Sequence, residues 1–236
     1  MSTLVFDIET ISDIAPDYRA AVEKLAVARE WTIDRYAALC PPLARVACIA
    51  ALEQPSGILQ VFADTTLATG PLDATIEVES GDGGANRSAE VLPCEGEAAL
   101  LEAFGRRLDL LLRNPNSRVV TYSGRGFDLP VLLHRSIAHR VGPGRRSIER
   151  LLNENRFRPQ LHVDLLESVT AFGATGRWPL AAYAIGYGFR SPKDDMDGSQ
   201  VSEAVAAGRL PEVLKYCAGD VIATAHVLAR IENTDS

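Results

Sequence analysis

Asp7 and Glu9 stand one residue apart at the end of an apolar run, Leu4-Val5-Phe6. Such a run is typical of a strand that is buried on both faces. Residues i and i+2 of a strand point to the same face, so the two carboxylates are expected to lie side by side. Buried carboxylates repel each other unless a cation lies between them, and oxygen ligands suit Mg²⁺ or Mn²⁺. The pair therefore indicates a divalent metal site. The alternative is that one acid is solvated and the other caps a turn.

Two further acids stand at positions where they could join this pair. Asp128 ends the glycine-containing segment Ser123–Asp128, directly before a helical pattern that has Pro130 in its first turn. A carboxylate at that position can also act simply as a helix cap. Asp220 follows Tyr216 by four residues on a long apolar helix, so the two share a face. An acid there needs a cation or several hydrogen bonds, unless it lies on a solvated face.

The elements that must position these residues alternate between strand and helix patterns. Apolar strands are predicted near residues 4–8, 46–52, 58–62 and 118–122, and helices over about 16–29, 95–112 and 210–230. This order predicts an α/β fold with a mixed central β-sheet flanked by α-helices. Residues 1–236 are expected to form a single domain. Residues 64–94 are expected to be an irregular insertion: an edge hairpin, a dimer contact or a disordered loop.

The composition bounds the class of protein. Hydrophobic residues make up 47% and charged residues 23% of the chain, as in soluble globular proteins. No apolar stretch is long enough to span a membrane, so no membrane partner is expected. The four scattered cysteines predict reduced thiols in a cytoplasmic protein. The net charge of −7 argues against a broad grip on duplex nucleic acid, but not against a cleft that holds a few nucleotides.

Three stretches taken together resemble a known superfamily. Phe6-Asp7-Ile8-Glu9-Thr10, Gly126-Phe127-Asp128 and Tyr216-x-x-x-Asp220 resemble the three motifs of the DEDD 3′–5′ exonucleases, in their tyrosine subtype, which have a ribonuclease H-like fold. Gly124–Pro130, His162-x-Asp164-Leu165 and Asp197–Val201 are similar to predicted exonucleases related to the proofreading domain of B-family DNA polymerases. The resemblance covers nearly the whole chain except the insertion. It departs at Ser123, where the family usually has Asn beside the terminal nucleotide.

The resemblance implies hydrolysis of phosphodiester bonds at the 3′ end of single-stranded nucleic acid, with DNA favoured. Two divalent cations, Mg²⁺ or Mn²⁺, would lie about 3.5–4 Å apart. Tyr216 would orient the attacking water. The residues that would hold the ions are Asp7, Glu9, Asp128 and Asp220. Contacts with the terminal nucleotide are implied for Thr10, Ser123, Phe127 and Gln200.

Other polar residues are weaker candidates. Asp164 is expected to cap a helix, and the four histidines are expected to be structural or surface groups because their spacing is unlike that of metal ligands. Lys193 and Ser199, like Gln200, are considered for contacts with substrate phosphate or base. Local positive charge for the strand is considered for four arginines, although a solvated face is the commoner role of such residues: Arg125, Arg135, Arg145 and Arg146.

Three alternative functions are weighed against the lead. The first is an exonuclease directed at RNA, because recognition of the 2′-hydroxyl cannot be located in the sequence. The second is a binding protein on the same fold with a lost site, which the presence of all four acids and Tyr216 disfavours. The third is a Ser/His hydrolase, for which Ser123-Gly124 lacks the nucleophile-elbow pattern.

Overall fold

The strands of the protein form one mixed sheet. In the computed structural model, which describes residues 2–190, 196 and 198–232, they are β1 (Thr3–Ser12), β2 (Ala44–Gln54), β3 (Ile58–Asp64), β4 (Thr75–Val78), β5 (Arg87–Cys94), β6 (Arg118–Thr121) and β7 (His162–Asp164). Their spatial order is β4-β5-β3-β2-β1-β6-β7. β1, β2 and β3 form an antiparallel meander, whereas β6 runs parallel to β1 and β7 parallel to β6. The predicted α/β class with a mixed central sheet is confirmed.

Helices cover both faces of this sheet. Those in the described part of the chain are α1 (Arg19–Val27), α2 (Ile33–Leu39), α3 (Glu97–Leu111), α4 (Asp128–Ala138), α5 (Arg145–Asn153), α6 (Leu165–Val169), α7 (Leu180–Gly186), α8 (Val201–Ala206) and α9 (Leu210–Ile231). α3, α4 and α5 pack on one side and α6 to α9 on the other. None of the described helices is both long and apolar enough to cross a membrane.

The alternation of β1 decides which layer each side chain meets. Its even-numbered residues Leu4, Phe6 and Ile8 pack in the core under α3 and α4. Val5 and Ile11 pack in the second core, under α9. Since side chains alternate along a strand, the odd-numbered acids of β1 are directed to the α9 side. The local pattern thus fixes their face before any tertiary contact is considered.

Residues 64–94 are more regular than their sequence suggests. β4 and β5 pair antiparallel as a hairpin, and β5 also pairs parallel with β3. Val78, Ala89 and Val91 are buried in the core under α9. The segment therefore extends the sheet at its edge. Its alternating apolar residues pack in the core, although the glycine-rich turn between β4 and β5 makes the segment look irregular in the sequence.

Candidate active site

β1 presents Asp7 and Glu9 together in its middle, beyond the end of its pairing with β6. Glu9 is buried and Asp7 is half-buried, and one carboxylate oxygen of each lies within 4.8 Å of the other. The pairing of β1 with β2 shifts register between Glu9 and Thr10. Such a bulge re-aims the residues that follow it. The acids thus lie where the ladder between β1 and β2 shifts its register.

The segment after β6 brings Asp128 to the same end of the sheet. β6 runs parallel to β1 with Val120 opposite Val5, so the chain leaves β6 close to Asp7. Asp128 is the first residue of α4 and is 4% exposed. The capping position belongs to Phe127, and the Asp128 carboxylate accepts hydrogen bonds from its own amide and that of Ile8. The simple cap considered for Asp128 is therefore wrong.

Asp164 fixes the turn that delivers Asp128. Its carboxylate caps α6 through the amide of Leu166 at 3.0 Å, as the sequence predicted. The same carboxylate also accepts from the amides of Ser123 and Arg125, at 3.0 Å each. These bonds hold Ser123 in the left-handed region, at φ 68°. Asp164 thus positions the site without contributing a ligand to it.

Gly124 is needed in this turn for space. The residue with positive φ in this turn is Ser123, and neither Gly124 nor Gly126 has a positive φ. A Cβ added at Gly124 would lie 2.4 Å from Oγ1 of Thr121. That hydroxyl is itself bonded to Nε2 of the buried His162, at 2.9 Å. Close packing, rather than backbone freedom, requires glycine at position 124.

α9 supplies the remaining pair. Tyr216 and Asp220 are both buried, one turn apart on its sheet-facing side. The Tyr216 hydroxyl and the Asp220 carboxylate are joined by a hydrogen bond. The helical spacing found in the sequence therefore places these two side chains in contact, as expected.

Burial and the neighbouring carboxylates make Asp7 and Asp128 costly to ionise. Burial, followed by the charges of Asp128, Glu9 and Asp220, raises the pKa of Asp7 well above its usual range. Burial, assisted by the charges of Asp164 and Asp220 and opposed by the amide hydrogen bonds, raises the pKa of Asp128 to about 7. The site is thus a concentration of negative charge that a cation would relieve.

Tyr216 remains protonated at neutral pH. Burial, followed by the charges of Asp220, Glu9 and Asp7, raises the pKa of its hydroxyl far above the ordinary value. The hydroxyl is therefore a hydrogen-bond donor and cannot act as a base. A cavity of about 760 Å³, whose walls include Phe189, Lys215 and His226, adjoins it between α9 and the β4 edge.

Comparisons with known proteins agree with this arrangement. Residues 92–236 match a family model described as "Predicted 3'-5' exonuclease related to the exonuclease domain of PolB". The chain belongs to this family. A solved structure of the family B DNA polymerase from the archaeon Pyrobaculum calidifontis matches 98% of this chain and 24% of its own, with 19% identity and a TM-score of 0.55. The predicted ribonuclease H-like fold is confirmed. No curated protein matches the chain.

In this exonuclease family member, the residues expected to contact substrate have different surroundings. Thr10 is buried and donates through Oγ1 to the carbonyl of Ala38 at 2.8 Å. Phe127 is half-buried against the core under α3 and α4. Ser123 accepts at Oγ from the guanidinium of Arg177 at 3.2 Å, and Gln200 is exposed directly before α8. Ser123 and Gln200 thus present polar atoms near the surface, whereas the Thr10 hydroxyl is engaged internally.

Two of the arginines considered for contacts with the nucleic acid form hydrogen bonds within the protein. Arg125 donates to the carbonyls of Leu151 and Leu152 at the end of α5, at 3.3 and 3.1 Å. Arg135 forms a two-point ion pair with the buried Glu97. Arg145 and Arg146 are exposed. The first two guanidinium groups thus have partners within the protein, and the sequence does not show which carbonyls and acids the folded chain brings to them.

The remaining polar candidates divide between interior and surface. Burial, followed by the charge of Arg125, lowers the pKa of His162 to about 3. His226 is buried with Nε2 at 2.8 Å from the carbonyl oxygen of Ser80, while His134 is exposed. Ser199 is exposed. Lys193 and Asp197 lie outside the described residues.

Cys217 is a site residue that was missed in the sequence. Its Sγ lies 3.5 Å from the carbonyl oxygen of Asp7 and within 4.8 Å of the carboxylates of Asp7 and Glu9. Burial, followed by a hydrogen bond with Cys48, raises the pKa of its thiol well above the usual value. It therefore borders the acids as a neutral group. Its position three residues before Asp220 is the signal that could have found it.

Proposed function

We propose that the protein is a metal-dependent 3′–5′ exonuclease that hydrolyses single-stranded nucleic acid, with DNA as the favoured substrate. The observation that carries this proposal is the convergence of four acids from β1, α4 and α9 at one end of the sheet. The raised pKa of Asp7 and of Asp128 supports a cation at the site, because a bound cation would offset both their burial and the charge of the neighbouring carboxylates. The 3′ polarity is supported by membership of the exonuclease family.

The donor set fits hard divalent cations. Asp7, Glu9, Asp128 and Asp220 offer carboxylate oxygens, which Mg²⁺ and Mn²⁺ prefer. When bound, such ions would provide Lewis-acid stabilisation of the charge that develops at the scissile phosphate. The neutral thiol of Cys217 closes one side of the acids and adds no charge to them.

Tyr216 and Asp220 act as a unit in this proposal. The Tyr216 hydroxyl is bonded to Asp220 and faces the acids of β1, so it is placed to hold a water beside them. Because the hydroxyl keeps its proton at neutral pH, it orients that water rather than deprotonating it. A proton from the water is accepted instead by solvent or by a carboxylate of the cluster.

A DNA substrate is supported by two resemblances. The family description relates the chain to the exonuclease domain of PolB, and the matched structure is a DNA polymerase. RNA remains the alternative substrate. The described residues are proposed to form a single exonuclease domain, with the β4–β5 hairpin as part of its sheet.

The test is a cleavage assay on matched single-stranded DNA and RNA oligonucleotides, labelled at either end. We expect products that shorten from the 3′ end in Mg²⁺ or Mn²⁺, and no products in EDTA. Faster cleavage of DNA than of RNA is expected; the reverse order would assign the enzyme to RNA. The Asp7→Asn variant is expected to be inactive, whereas Glu102→Ala, on the exposed face of α3, is the matched control.

Three results would contradict the proposal. The first is cleavage that persists in EDTA, the second is internal cleavage without 3′ polarity, and the third is full activity of the Asp7→Asn variant. If the wild-type protein binds oligonucleotides without cleaving them under any metal condition, a binding protein with an inactive site is the better description.

A further inference from the structure

Three exposed aromatic side chains lie on two connecting segments, one of which reaches the turn that carries Ser123 through Arg177. Phe157 is 64% exposed, Trp178 61% and Phe172 39%. Burial of large aromatic groups is strongly favourable, so their exposure together marks an interaction surface. They belong to two connecting segments, residues 155–158 before β7 and residues 171–178 before α7.

Contacts with the protein hold these two segments in place. The rings of Phe157 and Phe172 lie edge to face, with centroids 4.8 Å apart. The guanidinium of Arg156 lies 5.7 Å from the Phe157 ring centroid and pairs with Glu167 at 2.6 Å. The carbonyl of Trp178 accepts from the Tyr122 hydroxyl. The rings are therefore presented by a fixed support.

The charge of these segments differs from that of the chain as a whole. Residues 155–158 and 171–178 contain three arginines and no acid, whereas the full chain has a net charge of −7. All three guanidinium-bearing residues are exposed: Arg156, Arg158 and Arg177. Exposed rings interleaved with arginines suit single-stranded nucleic acid, whose bases stack on rings while its phosphates meet guanidinium groups.

The surface is continuous with the candidate active site. Nη2 of Arg177 donates to Ser123 Oγ at 3.2 Å. Ser123 begins the turn whose last residue is Asp128, and Asp164 holds that turn through the Ser123 amide. A strand whose 3′ end lies at the acids thus has a path across Ser123 and Arg177 to Trp178.

We propose that these residues, the aromatic–arginine strip (Arg156, Phe157, Phe172, Arg177 and Trp178), bind the single-stranded segment that precedes the 3′-terminal nucleotide. The inference rests on the proposed exonuclease function and adds where the strand lies. Bases stack on Trp178 and Phe157, and Arg177 contacts a phosphate close to the site. The strip increases the number of nucleotides that the protein contacts, and it does not take part in the hydrolysis.

The test measures binding in EDTA, where cleavage is not expected. Fluorescein-labelled dT12 and dT3 are titrated with wild-type protein and with Trp178→Leu, Phe157→Leu and Arg177→Gln. Tyr18→Leu, an aromatic residue that is 67% exposed, and Arg106→Gln, whose side chain is 71% exposed on α3, are the matched controls. Thermal melting verifies that each variant is folded.

Each ring substitution is expected to weaken dT12 binding about tenfold, since one stacked base contributes about that factor. The effect on dT3 is expected to be smaller, because a short strand does not reach both rings. Arg177→Gln is expected to reduce the slope of log Kd against log salt by about 0.7. Both controls are expected to bind as the wild type does.

The inference is overturned if the strip variants bind dT12 as tightly as the wild type, or if Tyr18→Leu loses as much affinity as they do. It is also overturned if Trp178→Leu changes only the oligomeric state, which would assign the strip to a second copy of the chain. Binding that depends on the strip without any hydrolysis in metal would contradict the exonuclease proposal alone.

Discussion

Glu97 and Asp128 are buried to the same depth, each 4% exposed, yet their surroundings are opposite. Glu97 accepts from Arg135 at 2.8 and 2.5 Å, from His139 at 2.7 Å and from the amide of Val46 at 2.8 Å. Asp128 has two amide donors but is surrounded by other carboxylates, and its pKa is raised to about 7. The first acid is neutralised by the fold, whereas the second is not.

This difference separates an acid that stabilises the fold from the acids that are proposed to bind metal. A buried ion pair with full hydrogen bonding connects α3, α4 and β2 around Glu97. At the site, the fold leaves negative charge uncompensated, which costs stability in the metal-free protein. A cation from solution is the simplest compensation. Asp164 belongs with Glu97, because amide donors surround its carboxylate.

The largest effect is expected from neutralising an acid of the site. Asp7→Asn and Asp220→Asn are each expected to reduce the rate of cleavage by about a thousandfold, comparable to losing a major electrostatic contact in other enzymes. Neither change is expected to lower the melting temperature in EDTA, because each removes repulsion. Single-turnover cleavage and thermal melting measure the two quantities. A variant that loses activity only because it unfolds would contradict the comparison.

Removing Glu97 is expected to affect stability instead. Glu97→Ala leaves the Arg135 guanidinium, only 13% exposed, without its carboxylate. We expect a loss of about 3 kcal/mol in the free energy of unfolding, as for other broken buried ion pairs. Urea unfolding measures it, with Glu102→Ala as the control, since the exposed Glu102–Arg106 pair contributes about 0.5 kcal/mol or less. Equal losses in the two variants would show that burial does not distinguish these pairs.

The pH dependence of the metal-free protein sharpens the comparison. Because the folded-state pKa of Asp128 is raised to about 7, the native state keeps a proton that the unfolded chain releases above pH 4. Stability from this group is therefore lost as pH rises from about 4 to 7. The Asp128→Asn variant has no such loss. The difference between its free energy of unfolding and that of the wild type is therefore expected to grow by about 2 kcal/mol between pH 5 and pH 8.

Thermal melting in EDTA at the two pH values measures this difference. A change of 2 kcal/mol corresponds to about 4–8 °C in a chain of this size. Added Mn²⁺ at pH 8 is expected to stabilise the wild type more than the Asp128→Asn variant. A constant difference across pH would contradict the raised pKa of Asp128.

The smallest effect is expected at Tyr216. Tyr216→Phe removes the hydroxyl that is bonded to Asp220, and the cleavage rate is expected to fall about tenfold, or 1.4 kcal/mol. The shape of the pH–rate profile is expected to stay unchanged, because the hydroxyl does not titrate in the working range. Tyr183→Phe is the control. Loss of one limb of the profile in Tyr216→Phe would show that the tyrosine acts as a base.

The sequence correctly predicted the side-chain directions that follow from the repeat of a single strand or helix. The spacing of Asp7 and Glu9 placed them on one face of β1, and that of Tyr216 and Asp220 placed them on one face of α9. The cap formed by Asp164 was also predictable, because the acid precedes an apolar helical run. The residues 92–236 matched by the family model exclude Asp7 and Glu9, so their place in the site depends on the fold.

Only the tertiary structure decided which partners these groups meet. Arg135 bonds to an acid 38 residues away and Arg125 to carbonyls about 26 residues away, and the sequence contains no periodic signal for either pairing. Cys217 likewise borders the metal-site candidates only because α9 packs against β1. A strand or helix period fixes the direction of a side chain. Which group that side chain then contacts is set by the packing of elements that are distant in the sequence.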